Sequence, residues 1–93
     1  MVMGFNTDIK FDGAVYHVQT EARKSAAIET TVFVQGAIIH CLTTDCQDLL
    51  SLPDYTEQQL GQRLEDQHRQ VIGRIRTGEI RAQMATGPSS VGS

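Results

Sequence analysis

The sequence predicts an α+β domain: a four-stranded antiparallel meander, a short helical turn and one long C-terminal helix. Three observations carry this expectation. Residues 5–12 alternate apolar and polar with period two, the pattern of a half-buried strand. Two turn signals, Asp12-Gly13 and Gln35-Gly36, divide the first half of the chain into hairpins. Residues 56–76 carry apolar side chains at helical spacing behind a capping-box sequence.

In the first strand Phe5, Thr7, Ile9 and Phe11 share one side, and Asn6, Asp8, Lys10 and Asp12 share the other. Asp12-Gly13 fits a two-residue type I′ turn, where both central residues take positive φ. The return strand is Val15 to Glu21. With that turn, Phe11 faces Ala14, Ile9 faces Tyr16, Thr7 faces Val18 and Phe5 faces Thr20. One face of the hairpin is then apolar on both strands, which fixes its register. Residues 22–27 break the alternation and read as an exposed loop.

Ile28 to Gln35 is rich in β-branched residues and makes the third strand. Gln35-Gly36 turns it into the fourth. An unbroken register sets Val34 against Ala37, Val32 against Ile39 and Thr30 against Cys41 on the core side. The same register sets Phe33 against Ile38, Thr31 against His40 and Glu29 against Leu42 on the second side. This hairpin is apolar on both faces, the mark of a covered strand pair.

Residues 44–52 fit a short helix, with Thr44 and Gln47 at capping-box spacing and Pro53 ending it. In the long helix Thr56 is the expected N-cap, Gln59 its reciprocal partner, and Tyr55 with Leu60 the hydrophobic staple. Its stripe is Leu60, Leu64, His68, Val71, Ile72 and Ile75. Glu65 and Arg69 are four apart in the favourable order. Gly78 suits the position just past the helix, with Arg74 and Arg76 in the last turn. The stripe is expected across Ile9, Phe11, Tyr16, Val18, Val32 and Ile39. Residues 1–80 then form one domain, and 81–93, with Gly-Pro-Ser-Ser-Val-Gly-Ser at the end, a disordered tail.

Composition narrows the function. The 93 residues carry a formal charge of −3, which gives no general attraction to nucleic acid or an anionic membrane. Up to Tyr55 there are seven acids and three bases; the basic excess lies in the helical half. No apolar run reaches the ~18 residues of a membrane span. The start, Met1 to Asp8, lacks the basic and apolar segments of a signal peptide. Two cysteines, Cys41 and Cys46, are too few for a disulfide framework. The expected setting is a cytoplasm with both thiols reduced.

No reaction chemistry stands out. His40 and Cys41 are consecutive on a strand and point to opposite faces. With no close-spaced Cys or His pair, no metal site is expected. Cys41 reads as a small core residue and Cys46 as a half-exposed thiol near a helix start. The isolated glycines match no phosphate loop. His68, on the apolar stripe, reads as a satisfied core-edge histidine. No catalytic residue and no cofactor is expected.

The second sheet face is the candidate site. Val15, His17, Gln19, Phe33, Ile38, His40 and Leu42 are the expected interface residues, because one helix covers only one face. Either a partner covers this face, or the 44–52 helix folds back over it. An exposed apolar patch of this kind marks an interface.

Two resemblances bear on this. Four strands followed by a long helix is similar to the order in Whirly-like single-strand-binding domains, which would imply nucleic-acid binding at the sheet. The acidic strands and only five aromatics argue against it. The segments Phe5-Asn6-Thr7-Asp8, His17-Val18-Gln19-Thr20-Glu21, Val32-Phe33 and Gly36 resemble a group of short uncharacterised bacterial proteins with an FNTD…HVQTE…VF…G signature. That group has no established activity, and the resemblance implies a small shared domain across most of residues 5–80. After Glu21, Ala22-Arg23-Lys24 replaces an acidic, glycine-containing stretch of that pattern. The expectation is a non-enzymatic interaction module, a homodimer or an adaptor subunit of a larger bacterial assembly. Single-stranded nucleic-acid binding is the alternative.

Overall fold

The computed structural model describes residues 4–24 and 26–82. Its element order is β1 (Gly4–Phe11), β2 (Ala14–Arg23), β3 (Ala27–Val34), β4 (Ala37–Asp45), α1 (Gln47–Leu50) and α2 (Glu57–Arg76). The strands form one antiparallel sheet in the order β1-β2-β3-β4. This is the α+β meander that the turns and periodicities predict.

The outer hairpins close through two-residue turns. Asp12 and Gly13 sit at φ 52° and 81°, and Gln35 and Gly36 at 53° and 82°. Both pairs are type I′, whose twist matches that of the flanking strands. The β1–β2 register is the expected one, from Phe11 opposite Ala14 to Phe5 opposite Thr20.

Three local differences from the expectation have physical causes. The exposed loop at 22–27 contracts: β2 runs to Arg23, β3 starts at Ala27, and Ala26 makes the bend at φ 64°. Thr44 does not cap α1, because β4 continues to Asp45 and Thr44 pairs with Ile28. Cys46 takes the cap position without a side-chain bond, and the Asp45 carboxylate accepts from the Gln47 N–H at 3.0 Å instead. The largest difference is a β-bulge. Phe33 lies opposite Ile38, but Val32 lies opposite His40, so Ile39 has no direct partner. One extra residue shifts every later side chain of β4 to the other face.

The long helix matches its sequence signals. The Thr56 hydroxyl accepts from the Gln59 N–H at 3.3 Å, and the Gln59 side chain accepts from the Thr56 N–H at 2.8 Å. Tyr55 packs against the cluster that holds Leu60. Arg69 meets Glu65 at 2.8 Å. Leu60, Leu64, Val71 and Ile75 are buried against the sheet, each worth roughly 1.5–3 kcal/mol of apolar burial.

The core divides into two clusters. One joins Ile9, Tyr16, Val18, Val32 and Val34 to Val71, Ile75 and Ile80. The other joins Ile28, Cys46 and Leu49 to Leu60 and Leu64. α1 therefore packs on the same side as α2 and does not fold over the second face. Past α2 the chain stays attached. Ile80 is buried, Arg81 meets Asp12 at 3.2 Å, and the Ala82 N–H donates to the Tyr16 hydroxyl at 2.9 Å. Arg81 and Ala82 thus contact the β1–β2 hairpin, and the rest of the expected tail lies outside the described residues. No helix is long and apolar enough to cross a membrane, among the described residues.

Candidate functional site

The face away from α2 is built in cross-strand rows. Strand pairing sets Asp8, His17, Phe33 and Ile38 in one row, and Asn6, Gln19, Thr31 and Cys41 in the next. Beyond them lie Glu21, Glu29 and Thr43. Val15 sits beside Lys10 at the opposite end. The face is thus graded, from apolar at the hairpin tips, through uncharged polar, to charged.

The bulge corrects two of the expected interface residues. His40 stands opposite Val32 and Leu42 opposite Thr30, and both of those partners are fully buried under α2. Leu42 packs against the first core cluster. His40 and Leu42 therefore belong to the helix side. The other five, Val15, His17, Gln19, Phe33 and Ile38, do share the open face. Cys41 makes the reverse move. It lies exposed on the open face, while Cys46, expected to be half-exposed, is fully buried.

Two sets of polar groups on the open face hold together, Asp8 with His17, and Arg23 with Glu21, Glu29 and Cys41. His17 Nδ1 lies 2.7 Å from an Asp8 carboxylate oxygen. Glu21 and Glu29 stand directly opposite each other, and like charges in that position repel. Arg23 bridges them, donating from Nε to Glu29 at 2.8 Å and lying 3.5 Å from Glu21. Its hydrogen bonds hold the Glu29 carboxyl below the usual carboxylate range. The Cys41 thiol donates to the other Glu29 oxygen at 3.6 Å.

The apolar end has relief as well as exposure. The β2–β3 ladder stops at His17 opposite Phe33, while the two hairpins on either side continue to their turns. The hairpin tips therefore splay. Between them lies a depression of about 220 Å³ lined by Gly13, Ala14, Val15, His17, Val34 and Gln35. Val15, 39% exposed, lines it, and Ile38, 63% exposed, stands on β4 opposite Phe33. No described element covers these side chains.

No family model, curated protein or solved structure matches this chain. Among the described residues no three His, Cys, Asp or Glu side chains gather where they would hold a metal ion.

A second polar constellation lies under the helix, between the two core clusters. His68 Nε2 is 2.7 Å from the Thr7 hydroxyl, and Nδ1 is 2.8 Å from that of Thr20. Thr20 meets Thr30 at 2.8 Å, and the Gln67 amide donates to Thr30 at 2.9 Å and to the Leu42 carbonyl at 3.2 Å. One direction of donation gives both fully buried hydroxyls, Thr20 and Thr30, an acceptor. Gln67 donates to Thr30, Thr30 to Thr20, and Thr20 to Nδ1, leaving the Nε2 proton for Thr7. The reverse direction would leave the Thr30 hydroxyl proton without an acceptor. The imidazole is thus held neutral, and burial also lowers its pKa. This is the satisfied core histidine that its place on the stripe predicts. The strand alternation sets Thr7, Thr20 and Thr30 inward, where hydroxyls need partners, but it does not show that Gln67 and His68 supply them. His40 differs: its Nε2 is buried with no hydrogen-bond partner among the described residues.

Proposed function

We propose that this chain is a small non-enzymatic interaction module, an adaptor subunit that takes a partner protein at the splayed end of its open face. The observation that carries the reading is that exposed Val15 lines the depression at the hairpin tips, with half-buried Phe33 and exposed Ile38 on the same open face in the row of His17, which also lines it. A partner side chain entering that depression would be buried by Val15 and the flanking strand ends. His17, braced by Asp8, and Gln19 would supply polar selectivity at the rim. A few buried anchors ringed by polar groups carry most of the energy of protein interfaces.

The narrowing of the patch supports a hetero-partner over face-to-face self-packing. With His40 and Leu42 on the helix side, three apolar side chains remain on this face. A standard interface needs about 800 Å² from each partner, and a sheet packed on its own copy would have to bury Glu21, Glu29 and Arg23 to reach it. The same charges disfavour a nucleic-acid strand, which takes a basic groove. Two cysteines that do not pair with each other suit a cytoplasmic assembly.

The test is site-specific photo-crosslinking in cells. A benzophenone amino acid at Ile38 is expected to give one discrete adduct that disappears when Phe33→Asp is added. The same probe at Thr43, on the charged part of the face, is expected to give none. An adduct of twice the chain mass would identify the partner as a second copy. A diffuse product at both positions would overturn the reading.

A further inference from the structure

The two edges of the sheet are unlike. β4 is interrupted by the bulge at Ile39, a device that keeps an edge from pairing with another strand. β1 carries no bulge and no proline over its eight residues, and among the described residues it has a strand on one side only. The type I′ turn fixes which of its backbone groups are free. Phe11 and Ala14 flank a two-residue turn, so they form a hydrogen-bonded pair, and pairing alternates from there. Odd-numbered residues of β1 bond to β2. Gly4, Asn6, Asp8 and Lys10 turn their N–H and C=O groups outward.

We infer that two copies of this chain join edge to edge through antiparallel β1 strands, with the two-fold axis at Ile9. Charge selects that register. Opposed residues must share a face, so the axis passes through a residue. An axis at Asp8 sets Asp8 against itself, and one at Lys10 sets Lys10 against itself. An axis at Thr7 leaves both charges opposite neutral residues. With the axis at Ile9, Asp8 of each copy faces Lys10 of the other, twice. These are also the residues whose backbone groups point outward, so both pairs exchange main-chain hydrogen bonds. On the helix side Ile9 meets Ile9, and half-buried Phe11 meets Thr7 of the second copy.

The arrangement has a further geometric result. The row Ile38, Phe33, His17, Asp8 of one copy continues into Lys10 and Val15 of the other. The two apolar ends, each small alone, fall on one level of an eight-stranded sheet. The edge pairing does not depend on the proposed role of the open face, and the two fail separately.

Sedimentation equilibrium of the purified full chain tests it by charge exchange. Asp8→Lys and Lys10→Asp each replace two attractions by two repulsions. Each is expected to weaken dimerisation by about tenfold or more. The double exchange Asp8→Lys with Lys10→Asp restores both attractions and is expected to recover the dimer. Both substituted positions are exposed, and circular dichroism of the three variants checks that each is folded. A monomeric unaltered chain would overturn the inference, as would single variants that dimerise as tightly as it does. Recovery absent in the double exchange would overturn the register. Phe33→Asp with Ile38→Asp is expected to remain dimeric. If that variant alone is monomeric, the copies meet through the open face and not through β1.

Discussion

The two faces of this sheet are made from the same strands and obey different rules. Under α2 the polar groups are knit together: Thr7, Thr20, Thr30, Gln67 and His68 bond to one another within a buried band, and among the described residues His40 Nε2 is the exception. On the open face the polar groups are held more loosely, by exposed pairs such as Asp8–His17 and the Arg23 bridge, and apolar side chains meet solvent at one end. A hydroxyl facing inward is a structural commitment, because leaving it unpaired is costly. An apolar side chain facing outward is a local loss that a partner can recover. The difference separates residues that hold the fold from residues available for recognition.

Four measurements would break or sharpen this contrast, and a fifth probes the bend that joins the two hairpins. The sharpest uses the two cysteines, one on each side. A thiol reagent applied to the native protein is expected to modify exposed Cys41 and leave fully buried Cys46 untouched. Mass spectrometry should find one adduct per chain, absent in Cys41→Ser. Rapid labelling at Cys46 would mean that the helix side is open. Next in size, Leu64→Ala removes a side chain with no exposure and should cost about 2–5 kcal/mol. Ile38→Asp should change stability by about 0.5 kcal/mol or less. Equal losses in urea denaturation would erase the distinction between the faces.

A smaller effect is expected within the polar band. Thr20→Val strands the Thr30 hydroxyl and His68 Nδ1 together, at a cost of about 1–3 kcal/mol. The band also gives the protein a pH dependence. Burial lowers the pKa of folded His68, so the unfolded chain takes up the proton first as pH falls. The contribution is complete above the ordinary imidazole value of about 6.5. It is lost as pH drops from there toward the lowered folded value. His68→Gln should flatten that part of the stability profile, and a slope unchanged by the substitution would place the titrating group elsewhere. The least effect concerns neither face. Ala26 holds φ 64° in the β2–β3 bend, a strained position for an L-residue, and Ala26→Gly should raise stability by about 1 kcal/mol.

How much of this was legible in the sequence follows from how local each signal is. Both type I′ turns, the Thr56–Gln59 capping box and the β1–β2 register depend on neighbours a few residues apart, and all were readable. The bulge was not. Both registers set Ile38 opposite Phe33 and Ile39 toward the core; they part only after Ile39, where either Cys41 or Leu42 could face inward and both are apolar. Only the fit of the whole strand against β3 and α2 decides, and it carries His40 and Leu42 inward and Cys41 outward. Thr44 failed as a cap for a similar reason: β-pairing with Ile28 claimed its backbone first. On the site, five of the seven expected residues share the open face, and the two lost are the two beyond the bulge. The splayed tips came from where a ladder stops, which no single segment encodes.

The buried polar band settles where the helix can dock. Apolar contacts alone are tolerant of sliding, since a leucine stripe meets another apolar surface almost equally well one turn up or down. A shift of one helical turn, about 5.4 Å, would bring Leu64 or Val71 against Thr20 and Thr30 and carry Gln67 and His68 into a cluster of Ile, Val and Leu side chains. Each displaced polar group would then be buried without a partner. The band between the two clusters therefore acts as an alignment key. It makes one axial setting of α2 acceptable and its nearest neighbours poor, so the chain has a single way to close.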